Sequence, residues 1–183
     1  MKEMKTGGAL WLAQTAVFIA LLIGGQAATA SLGQLVTGSW VNFVLIMSTM
    51  TRGAASGLFV ACVSPVFARL IGIGPLWALI PFMMAGNCVL VSVWHMVTKI
   101  KSANVHIARI AALAAAAAGK FITLYAGIVR LCIPVFLDLP ETQAAAVAGI
   151  FSVTQLFTAS IGGALAVLAL PVVEKAGKTA FTK

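Results

Sequence analysis

Residues 9–27 read ALWLAQTAVFIALLIGGQA. The run carries no charge and is long enough to cross a bilayer as one helix, which takes about 20 predominantly apolar residues. Within it Ala9, Ala13, Ala16 and Ala20 recur at steps of four, three and four, and Gly24 and Ala27 extend the line. At 3.6 residues per turn these positions share one narrow stripe, with Gln14 far round the helix. A stripe of small side chains lets a second helix approach closely, which is how helices associate in lipid. Two partners fit that pattern: another helix of the same chain, or a separate membrane protein docking on this face.

The rest of the chain has the same character. Of its 183 residues 61% are hydrophobic and 9% charged, and the mean hydropathy is +1.07. Those values exclude an ordinary soluble domain. In lipid only helices and closed barrels satisfy their backbone, and the short alternating segments of barrel strands are absent. The sequence therefore predicts one all-α, polytopic membrane domain over residues 1–183. The net charge of +8 sits mostly between apolar segments, so it reports topology and does not point to nucleic acid. Cys62, Cys88 and Cys132 are scattered through apolar stretches without paired spacing, which argues against a metal site or a disulfide framework. The first five residues resemble a signal-peptide start, but the apolar run behind them is too long, and it reads as a retained first helix.

Six spans follow from the breaks. They run from about Gly8 to Ala28, Ser39 to Met50, Ala54 to Ile71 with an interruption at Ser64-Pro65, Leu76 to Val97, Ile110 to Phe136, and Thr142 to Val173. Residues 29–38 read as a polar connector, and Thr51-Arg52-Gly53 as a tight turn. With both termini cytoplasmic, the inner side carries Lys2, Lys5, Arg52, Lys99, Lys101, Arg109, Lys175, Lys178 and Lys183. The outer side carries Arg69 and Arg130 beside Asp138 and Glu141. That asymmetry obeys the positive-inside rule. Trp11 and Trp94 then fall towards the inner interface, and Trp40 and Trp77 towards the outer one, as an aromatic belt would place them. No internal repeat is visible.

Lys120 is the most informative charge. Eleven residues beyond Arg109, it lies about 16 Å along the helix, near mid-membrane, where an ammonium must meet water, a carbonyl or an anion. No other span supplies a carboxylate. Asn87 and Gln155 reach similar depths and, with Ser152 and Thr154, could form a polar layer around Lys120, while Gln34 and Asn42 lie nearer the outer mouth. Amides both donate and accept, which suits a neutral polar ligand. Arg69, Trp40 and Trp77 complete the candidate binding residues on the outer side. Helix–helix hydrogen bonding is the alternative use of the same side chains. Catalysis has little to work with: His95 and His106 are unpaired in sequence, the carboxylates are peripheral, and there is no phosphate-binding glycine loop.

Six short spans, cytoplasmic termini and the AxxxA motifs Ala9-Ala13 and Ala16-Ala20 resemble the S component, the substrate-binding subunit, of an energy-coupling factor vitamin transporter. The stretches GQLVTGSWVNFVL and GKFITLYAGIVR are similar to one group of these proteins, and the resemblance covers essentially the whole chain. It implies a chain of the cell membrane of a Gram-positive bacterium that binds a vitamin from outside. It further implies docking through the alanine face on a transmembrane coupling subunit, and two cytoplasmic ATPases that use ATP and Mg. On this reading the chain itself holds no cofactor and catalyses nothing. Its binding region departs from the riboflavin, thiamine and folate members. Likeness to the cobalamin-specific member implies cobalamin, whose amide edges suit Gln34, Asn42, Asn87 and Gln155 and whose phosphate suits Lys120 or Arg69. Pantothenate or another small vitamin would also suit Lys120, through a carboxylate. A self-sufficient carrier or channel is the competing class.

Overall fold

A computed structural model describes residues 2–73, 76–100 and 104–180, with side chains at 8–73, 76–100, 104–173 and 175. Helices make up every regular element among them. They are α1 (Lys2–Thr29), α2 (Gln34–Arg52), α3 (Ala54–Leu70), α4 (Ile80–Lys99), α5 (Val105–Leu124), α6 (Ile133–Phe136), α7 (Glu141–Ile150) and α8 (Val153–Ala180). Four stretches are long and apolar enough to cross a membrane: Gly8–Leu32, Trp77–Lys99, Val105–Phe136 and Glu141–Val173. The helix α3 is apolar but has 17 residues, and α2 has 19 with a more polar face.

Helices α2, α3, α4, α5 and α8 pack successively into a ring, and α1 lies outside it against α2 and α3. The main core inside the ring includes Val44, Leu45, Val60, Leu90, Trp94, Ala116 and Ala159. A second cluster, Leu79, Leu124, Ile128, Cys132 and Phe151, fills the end where α4 begins and α5 finishes. Helices α2 and α8 touch through backbone. A Cβ added at Gly162 would run into the Ser39 carbonyl and come within 2.8 Å of Asn42 Cβ and Phe43 N. Only glycine permits that approach, which is the close packing small residues give in lipid.

Among the described side chains of α1, just Thr15 and Leu22 are buried. The Thr15 hydroxyl pairs with the Ser56 hydroxyl at 2.9 Å, and the Trp40 indole N–H donates to the Leu21 carbonyl at 3.0 Å. Ala9, Ala13, Ala16, Ala20, Gly24 and Ala27 are all exposed. No other described helix of the chain covers the stripe.

Four features depart from the sequence reading. The connector over residues 29–38 is already helical from Gln34, so the second helix is longer than expected. The expected interruption at Ser64-Pro65 is absent, since α3 runs through Pro65. The last span is not continuous: it breaks at Phe151–Ser152 into α7 and α8. Trp94 is 1% exposed and belongs to the core, not to an aromatic belt. The single-residue turn at Gly53, with φ of +86°, does join α2 to α3 as the sequence suggests. Of the basic residues used to orient the chain, Lys101 and Lys183 lie outside the described residues, as do the side chains of Lys2, Lys5 and Lys178.

Candidate functional site

Three helices bring one cation and two amides together. Lys120, near the C-terminal end of α5, donates through Nζ to Asn42 Oδ1 of α2 at 2.6 Å and to Asn87 Oδ1 of α4 at 2.7 Å. All three are at least 95% buried. The chain of bonds continues to α8: Asn42 Nδ2 donates to Thr158 Oγ1 at 3.3 Å, and the Thr158 hydroxyl donates to the Gln155 carbonyl at 3.1 Å. Carbonyl-type oxygens partly replace the hydration an ammonium loses on burial, yet amide dipoles leave its net charge in place. Among the described residues no carboxylate pairs with Lys120; Asp138 and Glu141 are exposed at the protein surface.

Beside this cluster lies a cavity of about 280 Å³. Its polar wall includes Lys120, Asn87, Gln34, Gln155, Gln26 and Ser64, and its apolar wall includes Val41, Met83, Leu124, Val147, Ile150 and Phe151. Two polar atoms in this wall, Ser64 Oγ and Gln26 Oε1, are buried and lack a hydrogen-bond partner. Buried polar atoms are nearly always paired, so two orphans in one cavity wall call for an explanation.

The helix break between α7 and α8 lies in the same wall. It frees carbonyls that side chains then occupy. Ser152 and Thr154 donate to the Gly149 carbonyl at 3.1 and 2.9 Å, and Gln155 Nε2 donates to the Ile150 carbonyl at 3.0 Å. In a bilayer a broken helix is tolerated where it lines a cavity or is buried in protein. One turn beyond Lys120, residues Tyr125–Cys132 wind as a π-helix, a form that frequently marks functional sites.

The sequence-selected residues thus divide. Gln34, Asn87, Lys120 and Gln155 line the cavity, and Asn42 stands behind them as the first partner of Lys120. Ser152 and Thr154 do not join a layer around Lys120, being held by the helix break. Trp40 packs on Gly25 of α1, where any Cβ would collide with its indole, and faces a separate apolar hollow with Phe43, Ile161 and Leu165. Arg69 sits over the ring of the exposed Trp77 at 5.7 Å, and neither lines the cavity. Sequence reasoning missed Gln26, Ser64 and Thr158. Thr158 was within reach, since three residues after Gln155 it shares that helix face. Ser64, next to Pro65, reads in sequence as part of a helix break.

Cys62 and Cys88 meet between two helices. They are far apart in sequence, yet their Sγ atoms lie 3.4 Å apart across the α3–α4 seam, as free thiols. No family model, no curated protein and no solved structure matches the chain.

Proposed function

We propose that the chain is the substrate-binding membrane subunit of an energy-coupling factor vitamin transporter. It spans the cell membrane with six helical units, α5–α6 and α7–α8 each counting as one, and keeps both termini in the cytoplasm. A vitamin enters the cavity beside Lys120 from the outer side. The alanine stripe of α1 docks on a transmembrane coupling subunit, and two separate ATPases drive the cycle.

The observation that carries this reading is the buried Lys120–Asn42–Asn87 cluster at the wall of a cavity inside an apolar helical bundle. An ammonium at that depth is costly, and intramembrane charges mark ligand or ion paths. The exposure of the whole alanine stripe supports the docking half of the reading. The distribution of charge supports the orientation: Arg52 and Lys99 end helices at one end of the up-and-down bundle, while Asp138 and Glu141 sit at the other. As to ligand, the cavity volume lies near the lower bound of the roughly 300–1,000 Å³ usual for ligand pockets. Cobalamin, a corrin macrocycle with an appended nucleotide, is larger than the molecules such pockets hold. The volume therefore favours pantothenate or another small vitamin.

Uptake of a panel of radiolabelled vitamins into cells, measured with and without a coexpressed energy module, tests the proposal. The expected result is uptake of one vitamin that requires the module, and copurification of the chain with the coupling subunit. Uptake that needs no module would instead make the chain a self-sufficient carrier.

A further inference from the structure

We infer that the cavity takes a small monocarboxylate, with its carboxylate against Lys120 and its neutral polar end towards Gln26 and Gln34. This rests on the ligand-binding reading above and specifies the chemistry of that same site.

The argument begins with valence. A lysine ammonium has three N–H donors. Asn42 and Asn87 take two at 2.6 and 2.7 Å, and the third has no acceptor among the described residues. Asn87 is fixed through its oxygen, so its amide NH₂ stays available as a donor in the cavity wall. The hydroxyl of Ser64, 98% buried, is the third donor in that wall and is unpartnered. Three donors, one of them cationic, complement the two oxygens of a carboxylate, and charge-assisted bonds of this kind are about twice as strong as neutral ones.

Net charge then narrows the class. Lys120 is the one cationic side chain in the described cavity wall, and no carboxylate lies in it. One negative charge neutralises the site. A dianion such as a phosphate monoester would leave a second charge buried without a partner, which is strongly unfavourable.

The opposite end differs in chemistry. Gln34 begins α2 and precedes Asn42 by eight residues, which is about 12 Å along the helix. Gln26 lies near the end of α1, at the same end of the bundle, and its Oε1 is the second orphan in the wall. These groups carry no charge, and amides pair with hydroxyls or amides. The cavity therefore has a cationic deep end and a neutral, hydrogen-bonding end, with Val41, Met83, Leu124 and Phe151 among its apolar lining.

The test uses the purified full-length chain in lipid nanodiscs and matched pairs that differ in the acid alone: pantothenate with panthenol, biotin with its primary amide, and nicotinate with nicotinamide. Cobalamin is titrated alongside, and the same compounds are followed in the uptake assay. The expected result is that one acid binds, its neutral partner binds about tenfold more weakly or worse, and Lys120→Met abolishes the difference. The comparison within the parent protein stands even if the variant is poorly folded. Equal affinity for acid and neutral partner, or acid selectivity that persists in a folded Lys120→Met, overturns the carboxylate assignment and leaves vitamin binding intact. Binding or module-dependent uptake of cobalamin with no acid bound has the same meaning. No binding and no uptake of any compound overturns both readings.

Discussion

The decisive residue contact is the one between Lys120 and Asn42. It can be altered by a single atom exchange. Asn42→Asp keeps the shape of the side chain and places a carboxylate oxygen where Oδ1 now accepts at 2.6 Å. The ammonium is then neutralised from within the protein. A buried charge pair with good geometry and a second hydrogen-bonding partner, here Asn87, should keep the fold intact, with the Thr158 hydroxyl, which now accepts from Asn42 Nδ2, turning to donate to the new carboxylate oxygen. An anionic ligand would meet a site with no net charge. We expect Asn42→Asp to retain thermal stability in detergent within a few degrees and to lose about tenfold or more in affinity for the anion, read by calorimetric titration. Unchanged affinity would show that the charge of Lys120 is not what the ligand senses. The burial of Lys120 is legible in sequence because depth follows from helix rise alone. Its partners are only partly legible: the sequence puts Asn42 nearer the mouth than Lys120, and a lone serine before a proline gives no sign that it lines a cavity.

At the scale of elements, periodicity located the helices well, and two of the boundaries it misjudged share one physical reason. The start of α2 and the break between α7 and α8 both line the cavity. Their residues are therefore polar, like Gln34 and Thr37, or irregular, like the turn at Phe151–Ser152. A polar helix start reads as a connector when the cavity it faces is unknown. A break between two alanine-rich apolar helices reads as continuous, because the side chains that cap it are ordinary serine, threonine and glutamine. The α2–α8 contact is testable through Gly162. Gly162→Ala should push α8 off the Ser39 carbonyl and disturb Asn42. Overpacking of this kind costs about 1–3 kcal/mol, so the melting temperature in detergent should fall. Gly149→Ala, where nothing lies within 4 Å of an added Cβ, is the matched control and should melt like the parent. Equal melting of both variants would mean that α2 and α8 do not approach so closely. The α3–α4 seam has its own test. Copper phenanthroline should convert Cys62 and Cys88 into an intramolecular disulfide, given their 3.4 Å separation. The product should disappear in Cys88→Ala and persist in Cys132→Ala. Failure to form it in the folded protein would contradict the packing of α3 on α4.

At the scale of the whole molecule, the unusual feature is how little of α1 its own chain covers. The helix is held by a few contacts on one side, among them Thr15 to Ser56, Leu22 in the core and Trp40 to the Leu21 carbonyl. The other side presents Ala9, Ala13, Ala16, Ala20, Gly24 and Ala27 as a smooth strip. Lipid chains gain nothing from smoothness, whereas a second helix does, because its backbone can come close enough for dispersion contacts along its length. The strip faces away from the cavity, to whose wall α1 contributes Gln26 but none of the strip residues. Assembly and ligand binding should therefore separate cleanly. Ala16→Leu and Ala20→Leu each place a bulky side chain on the strip without touching a buried residue. We expect both to insert in the membrane and bind ligand with parent affinity, and to lose copurification with the coupling subunit and ligand uptake together. Loss of ligand binding in these variants would mean that the strip itself supports the cavity wall. Normal uptake by both would remove the strip from the docking surface and leave it facing lipid.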